Sequence, residues 1–205
     1  MLKILGRASS SNVAKVVWAC EEMQLPYDRK DIGGEFGGND KPDYLALNPN
    51  GLVPTVDDDG FILWESNAIV RYLARKHGMG SLCPMDPGMA ADAERWMDWQ
   101  LTTVLPAFGP LYVQFFLTAP DKRDPNVIRQ ATERSAQVLS RLDSNLANRP
   151  YVAGDQLTMG DLPFGPVVHR WFNYDIARPA LPNLEAWHTR VSARDAFKRA
   201  IPPTL

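Results

Sequence analysis

Asn48-Pro49-Asn50-Gly51-Leu52-Val53-Pro54-Thr55-Val56-Asp57-Asp58-Asp59-Gly60-Phe61-Ile62-Leu63-Trp64-Glu65-Ser66 is the stretch on which the fold turns. Its first seven residues are rich in turn formers. Thr55-Val56 and Phe61-Ile62-Leu63-Trp64 then flank Asp57-Asp58-Asp59-Gly60, the pattern of a β-hairpin. A helix follows at once. Ile69, Tyr72 and Leu73 share one of its faces, and Arg75, Lys76 and His77 occupy its last turn, where the helix dipole favours cations.

Upstream, residues 2 to 5 are short and apolar, and Gly6 and Ser9-Ser10-Ser11 follow, the serines being good helix N-caps. Val13, Val16, Val17 and Cys20 recur at helical spacing and predict one buried face, ended by Pro26. Tyr27 to Ile32 reads as a second strand whose charge suits a sheet edge. Gly33, Gly34, Gly37 and Gly38 mark a loop, and a short helix is expected around Asp43 to Leu47. Strand-helix-strand, hairpin, helix is the order of a small mixed-sheet α/β domain over residues 1–77.

Downstream, Gly78, Gly80, Pro84, Pro87 and Gly88 give residues 78–88 a linker composition. Residues 89–205 read as all helix. The run 89–118 carries Trp96, Trp99, Leu101 and Leu105, with Pro106, Gly109 and Pro110 expected to kink or interrupt it. The run 126–147 keeps regular helical spacing through Ile128, Ala131, Ser135, Leu139, Leu142 and Leu146. Thr158-Met159-Gly160-Asp161 is similar to a capping box with Asp in the usual Glu place, and Pro182 to Arg199 supplies one or two further helices.

Composition removes several function classes. The 205 residues carry a net charge of −2 with 45% hydrophobic and 22% charged residues, an ordinary globular balance. No basic stripe is present, which argues against nucleic acid as a partner. No stretch approaches the ~20 apolar residues of a membrane helix, and Met1 to Arg7 lacks the apolar core of a signal peptide, so a cytoplasmic protein is expected. Cys20 and Cys83 stand far apart and His77, His169 and His188 have no zinc spacing, so no metal is expected.

Three segments in order, Ser9-Ser10-Ser11-Asn12-Val13-Ala14-Lys15-Val16, Asn48 to Pro54 and Trp64-Glu65-Ser66-Asn67-Ala68-Ile69, resemble the glutathione site of bacterial glutathione transferases related to the theta, zeta and nu classes. Leu157-Thr158-Met159-Gly160-Asp161 is similar to the capping box and hydrophobic staple of that family's helical domain. The resemblance implies a thioredoxin-like domain with a mixed four-stranded sheet (βαβ-ββα) over 1–77, a linker over 78–88 and an all-α domain over 89–205 that carries the acceptor side. It also implies glutathione as co-substrate, a small hydrophobic electrophile as acceptor, and a homodimer joining one subunit's small domain to the other's helical domain.

Family members place a Tyr, Cys or Ser beside the thiol. The loop after the first strand has neither Tyr nor Cys, which leaves serine: Ser11 in a theta-like alignment, Ser10 in a zeta-like or nu-like one with Asn12 as auxiliary donor, Ser11 being preferred. A free thiol titrates near 8.5, so a useful thiolate at neutral pH needs a drop of roughly two units, about 2.7 kcal/mol. One hydroxyl hydrogen bond to a charged sulfur supplies ~1.5–3 kcal/mol, and a helix N-terminus ~0.3–2, so no metal or base is required.

By the same resemblance Leu52, Val53 and a cis Pro54 meet the cysteinyl backbone, while Glu65 suits the γ-glutamyl ammonium and Ser66 its carboxylate. Asn39 and Lys41 lie where the loop passes the glycine carboxylate. Trp99, Tyr112 and Phe115 are candidates for the acceptor pocket, although aromatic residues at helical spacing more often pack a core. Thr158 and Asp161 are expected to be structural. A glutathione-dependent isomerase, dehalogenase or disulfide reductase would use the same site, and a non-catalytic binding or assembly protein could keep the fold.

Overall fold

The computed structural model describes residues 1–203. Strand β1 (Leu2–Leu5) leads into α1 (Ser11–Glu22) and β2 (Tyr27–Lys30). A short α2 (Pro42–Leu45) precedes the hairpin of β3 (Thr55–Asp58) and β4 (Phe61–Trp64), which hands over to α3 (Ser66–His77). The sheet order is β2-β1-β3-β4, with β1 and β2 parallel and the other two pairs antiparallel. A parallel pair needs a crossover, and α1 supplies it. The charged β2 stands at an edge, as its composition predicts. The hairpin turn is Asp59-Gly60 with φ of 51° and 95°, the mirror-image turn whose twist matches the strands.

Helix α1 is buried on more than one face. Every residue from Val13 to Cys20 is inaccessible, Lys15 included. Helix α3 packs along one side of α1, and α7 (Phe164–Asn173) and α9 (Asp195–Ala200) pack against it from the helical half. Trp18 meets Phe197 edge-on at 5.0 Å. Helix α7 passes so near that a Cβ at Gly165 would lie 2.5 Å from the Trp18 ring. Arg194 grips Glu22 through two hydrogen bonds of 2.7 and 2.5 Å, and Arg199 reaches Glu21 at 2.5 Å.

The remaining helices are α4 (Pro87–Trp99), α5 (Leu105–Tyr112), α6 (Pro125–Leu146) and α8 (Pro182–Ser192). Among the described residues no strand follows β4. The prolines do interrupt the long run, and the interruption takes the form of π-helical segments at Gln100–Val104 and Val113–Leu117, flanking α5. Proline lacks the N–H that an α turn requires and its ring crowds the preceding turn, which a wider π turn relieves.

Thr158 and Asp161 close a turn ahead of α7, whose own N-cap is Pro163 with no side-chain cap, so the expected capping box holds the turn and not the helix end. Asp161 Oδ2 accepts from Thr158 N at 2.9 Å and Thr158 Oγ1 at 3.3 Å. Its Oδ1 reaches further, accepting Val152 N and Trp187 Nε1, each at 2.9 Å. One fully buried carboxylate thus ties together a loop, the start of α7 and α8.

Candidate functional site

A cleft of about 400 Å³ opens between the sheet-bearing half and the helical half. On one side Arg7, Ser10, Ser11 and Asn12 line it from the loop after β1 and the start of α1, and Gly33, Asn39, Leu52 and Val53 complete that wall. Opposite stand Leu105, Phe108, Gly109 and Tyr112 of α5 with Val167 and Arg170 of α7. A wall rich in donors therefore faces one that is apolar apart from Tyr112 and Arg170, across a ligand-sized space.

The serines differ in employment. Ser10 is the N-cap of α1, nearly buried, its hydroxyl accepting from Val13 N at a long 3.5 Å. Ser11 Oγ accepts from Arg170 Nε at 3.0 Å, so its own proton stays free for another acceptor. Asn12 extends the site inward. Its Oδ1 accepts from Ser66 Oγ at 3.4 Å, and Ser66 Oγ accepts from Lys15 Nζ at 3.4 Å. Lys15 Nζ also donates to Asn67 Oδ1 at 3.3 Å and Gln100 Oε1 at 3.5 Å.

The Val53–Pro54 peptide is cis. Tyr44 Oη and Asn48 Nδ2 both donate to the Leu52 carbonyl, at 2.6 and 2.8 Å, which fixes the backbone just before Val53. Among the described residues the Val53 N–H and carbonyl take no hydrogen bond, which leaves an unpaired backbone edge on the cleft. Asn39 Nδ2 donates to Gly51 O at 2.8 Å and pins the neighbouring loop. Arg7 Nε is buried with no hydrogen-bond partner, and Glu35 Oε2 is 3.8 Å from it. A Cβ at Gly34 would lie 2.7 Å from Arg7 Nε, so only glycine lets that loop rest on the guanidinium.

Of the residues the sequence singles out, Ser10, Ser11, Asn12, Asn39, Leu52, Val53 and Tyr112 come together on the cleft, with Pro54 directly beneath. Ser66 sits one hydrogen bond behind Asn12. Glu65 is exposed at the start of α3, in a left-handed conformation (φ 71°) that is uncommon outside glycine. Three side chains stand elsewhere. Lys41 is exposed at the start of α2 and does not reach the cleft; Arg7 supplies the cation there. Trp99 packs on Trp96 and Phe164, beside Arg95 and Arg141 on a separate surface groove. Phe115 stacks on Tyr174 at 4.4 Å with Arg123 over it. Phe115 lies in a π segment, where the wider turn changes the helical phase, whereas Trp99 ends the regular helix α4.

Arg7, Lys15, Leu105, Phe108 and Arg170 were missed by reading the sequence for function. Two signals were available. Lys15 is the lone charge in Val13 to Cys20, and Arg170 interrupts the apolar run Phe164 to Phe172. Burial pushes the Lys15 ammonium down to about 7, opposed by the charge of Glu65. A base whose folded pKa is depressed binds fewer protons folded than unfolded between about 7 and its ordinary value near 10.4, so stability rises with pH across that window. We expect Lys15→Met to lose about 1 kcal/mol of the stability that wild type gains between pH 7 and 8, measured by urea unfolding at each pH. An unchanged slope would place the charge of Lys15 in contact with water.

Two family models match the chain in order: the N-terminal domain of glutathione S-transferase over residues 9–76 and its C-terminal domain over residues 104–195. The glutathione S-transferase GstB of Escherichia coli (strain K12) is 38% identical over 203 residues, covering 98% of each chain. Among solved structures, the theta class glutathione S-transferase from the citrus canker pathogen Xanthomonas axonopodis pv. citri, with glutathione bound, superposes with a TM-score of 0.95 at 44% identity, covering 98% of this chain and 97% of that one. Glutathione transferase F7 from Populus trichocarpa superposes with a TM-score of 0.88 at 27% identity, covering 98% and 97%. The matched models take in most of both facing walls of the cleft, and the relatives match over nearly their full length: the chain belongs to the glutathione S-transferase family.

Proposed function

We propose that the cleft binds glutathione along its polar wall, holds its sulfur as thiolate at the start of α1, and presents it to a hydrophobic electrophile lying against α5 and α7. The observation that carries this reading is the pairing in one cavity of a free hydroxyl at a helix N-terminus with the unpaired backbone edge of Val53. In this reading Ser11 is the hydroxyl that meets the sulfur, and Ser10 and Asn12 shape the helix start around it. Val53 pairs with the cysteinyl backbone, with Leu52 and Pro54 holding its direction. Ser66 and Glu65 serve the γ-glutamyl end at the start of α3. Arg7, beside Asn39, takes the glycine carboxylate that the sequence assigns to Lys41.

Residues 1–77 then form the glutathione-binding domain, 78–88 the linker and 89–205 the acceptor side, a division supported by the limits of the two family models. Leu105, Phe108, Tyr112 and Val167 form the acceptor surface. Exposed Leu52, Phe61 and Trp64 beside the β4 edge support a homodimer, since apolar side chains there would otherwise meet water.

The test is calorimetric titration with glutathione, followed by thioether formation with a panel of aryl and alkyl halides, disulfides and hydroperoxides, and sedimentation of the same preparation. We expect saturable binding, turnover with halides and twice the chain mass. No heat at millimolar glutathione would remove the reading.

A further inference from the structure

Arg170 is 2% exposed and takes part in none of the ion pairs among the described residues. A buried guanidinium with no carboxylate is costly unless something else compensates it. Its partners are all neutral. Nε donates to Ser11 Oγ at 3.0 Å, Nη1 to Tyr174 Oη at 3.3 Å and Nη2 to the Ser9 carbonyl at 3.3 Å. The rings of Tyr112 and Phe116 lie 5.1 and 4.7 Å from its central carbon. Its titratable neighbours are Tyr112, Tyr174 and His169, with Arg7 also on the cleft.

We propose that Arg170 is a positioning residue: it fixes the direction of the Ser11 hydroxyl proton and supplies the positive charge that the thiolate compensates. This rests on the assignment of Ser11 made above. An arginine Nε carries one hydrogen and no acceptor, so in this contact Ser11 Oγ accepts, and its own O–H is left to donate. Accepting from a cation also makes that O–H a stronger donor. When the glutathione S–H bond breaks, the proton leaves to water and the electron pair stays on sulfur, which accepts from Ser11 with the guanidinium charge one hydrogen bond behind. The two residues are 159 positions apart and belong to different halves of the protein. Docking of α7 onto α1 thus assembles the group that ionises the thiol.

The experiment measures the thiol pKa of bound glutathione from thiolate ultraviolet absorbance in wild type, Arg170→Gln, Arg170→Lys, Ser11→Ala and Ser11→Ala/Arg170→Gln, with melting temperatures recorded for each. Arg170→Gln is expected to raise the pKa by about one unit or more, and to raise it by clearly less when Ser11 is already alanine, where only the charge and no longer the hydroxyl is lost. Arg170→Lys keeps the charge without the planar fork and is expected to fall between. If the glutamine variant does not fold, the lysine variant decides alone. A lowered melting temperature with a wild-type pKa would mean a purely structural arginine and would overturn the proposal, as would an undiminished shift in the double variant. A wild-type pKa in Ser11→Ala removes the serine assignment itself; a raised one there beside wild-type values in the Arg170 variants removes only the inference about arginine.

Discussion

Replacing Ser11 with alanine is expected to raise the pKa of enzyme-bound glutathione by ~1–2 units and to lower kcat/KM near neutral pH roughly 10-fold, with glutathione affinity largely kept. The magnitude follows from one hydrogen bond to a charged sulfur, ~1.5–3 kcal/mol, at 1.36 kcal/mol per pKa unit. Affinity is expected to be spared because the proposed peptide contacts, Val53, Arg7, Ser66 and Glu65, are left intact. Above the new pKa the variant should recover, since alkali then ionises the thiol without help. Ser10 provides the contrast. Its hydroxyl caps α1, so Ser10→Ala is expected to lose ~0.5–2 kcal/mol of stability with a smaller change in thiol pKa. A pH–rate profile for each variant separates the two, and the assignment fails if Ser10→Ala shifts the profile and Ser11→Ala does not.

Asp161→Ala is expected to lose ~3–5 kcal/mol of folding stability and on the order of 10 °C in Tm, while any protein that folds keeps its thiol pKa. The side chain is fully buried and accepts from four donors. Burial pushes its carboxyl up to about 6, although all four hydrogen bonds pull the other way. Removal would strand Val152 N, Thr158 N and the Trp187 indole in a dry interior, which costs more than the interaction itself gained. Asp161→Asn preserves size, but its amide group would face donors with donors, so a smaller yet clear loss is expected. Thermal melts read both. A loss near that of an ordinary cap, ~1 kcal/mol, would mean that water replaces the carboxylate.

Most elements were legible because they obey local rules. Asp59-Gly60 forces its turn, the charge of Tyr27 to Lys30 sends β2 to an edge, and Thr158 to Asp161 form their box from four adjacent residues. The cleft's sheet wall was legible too, since Ser10 to Asn12 and Asn48 to Pro54 are compact segments. What escaped depends on distant chain. Lys15 is buried because α3 and the segment after α4 close over it, with Ser66, Asn67 and Gln100 around its ammonium, which no spacing within residues 11–22 reveals. Arg170 acts on a residue from the opposite end of the chain, and an arginine in a helix ordinarily reads as solvated. Phe115 stands elsewhere for another reason: it lies in a π segment, where a period of 3.6 residues fails.

The clamp of Arg194 and Arg199 on Glu22 and Glu21 gives α1 a fixed far end. Twelve residues of helix make a stiff rod of roughly 18 Å, and Ser11 is its opposite tip. A stiff rod transmits displacement with little attenuation. Helix α9 and the arginine before it therefore help fix where Ser11 stands, and on the proposed role of Ser11, trimming α9 is expected to alter the thiol pKa without touching a single atom of the cavity.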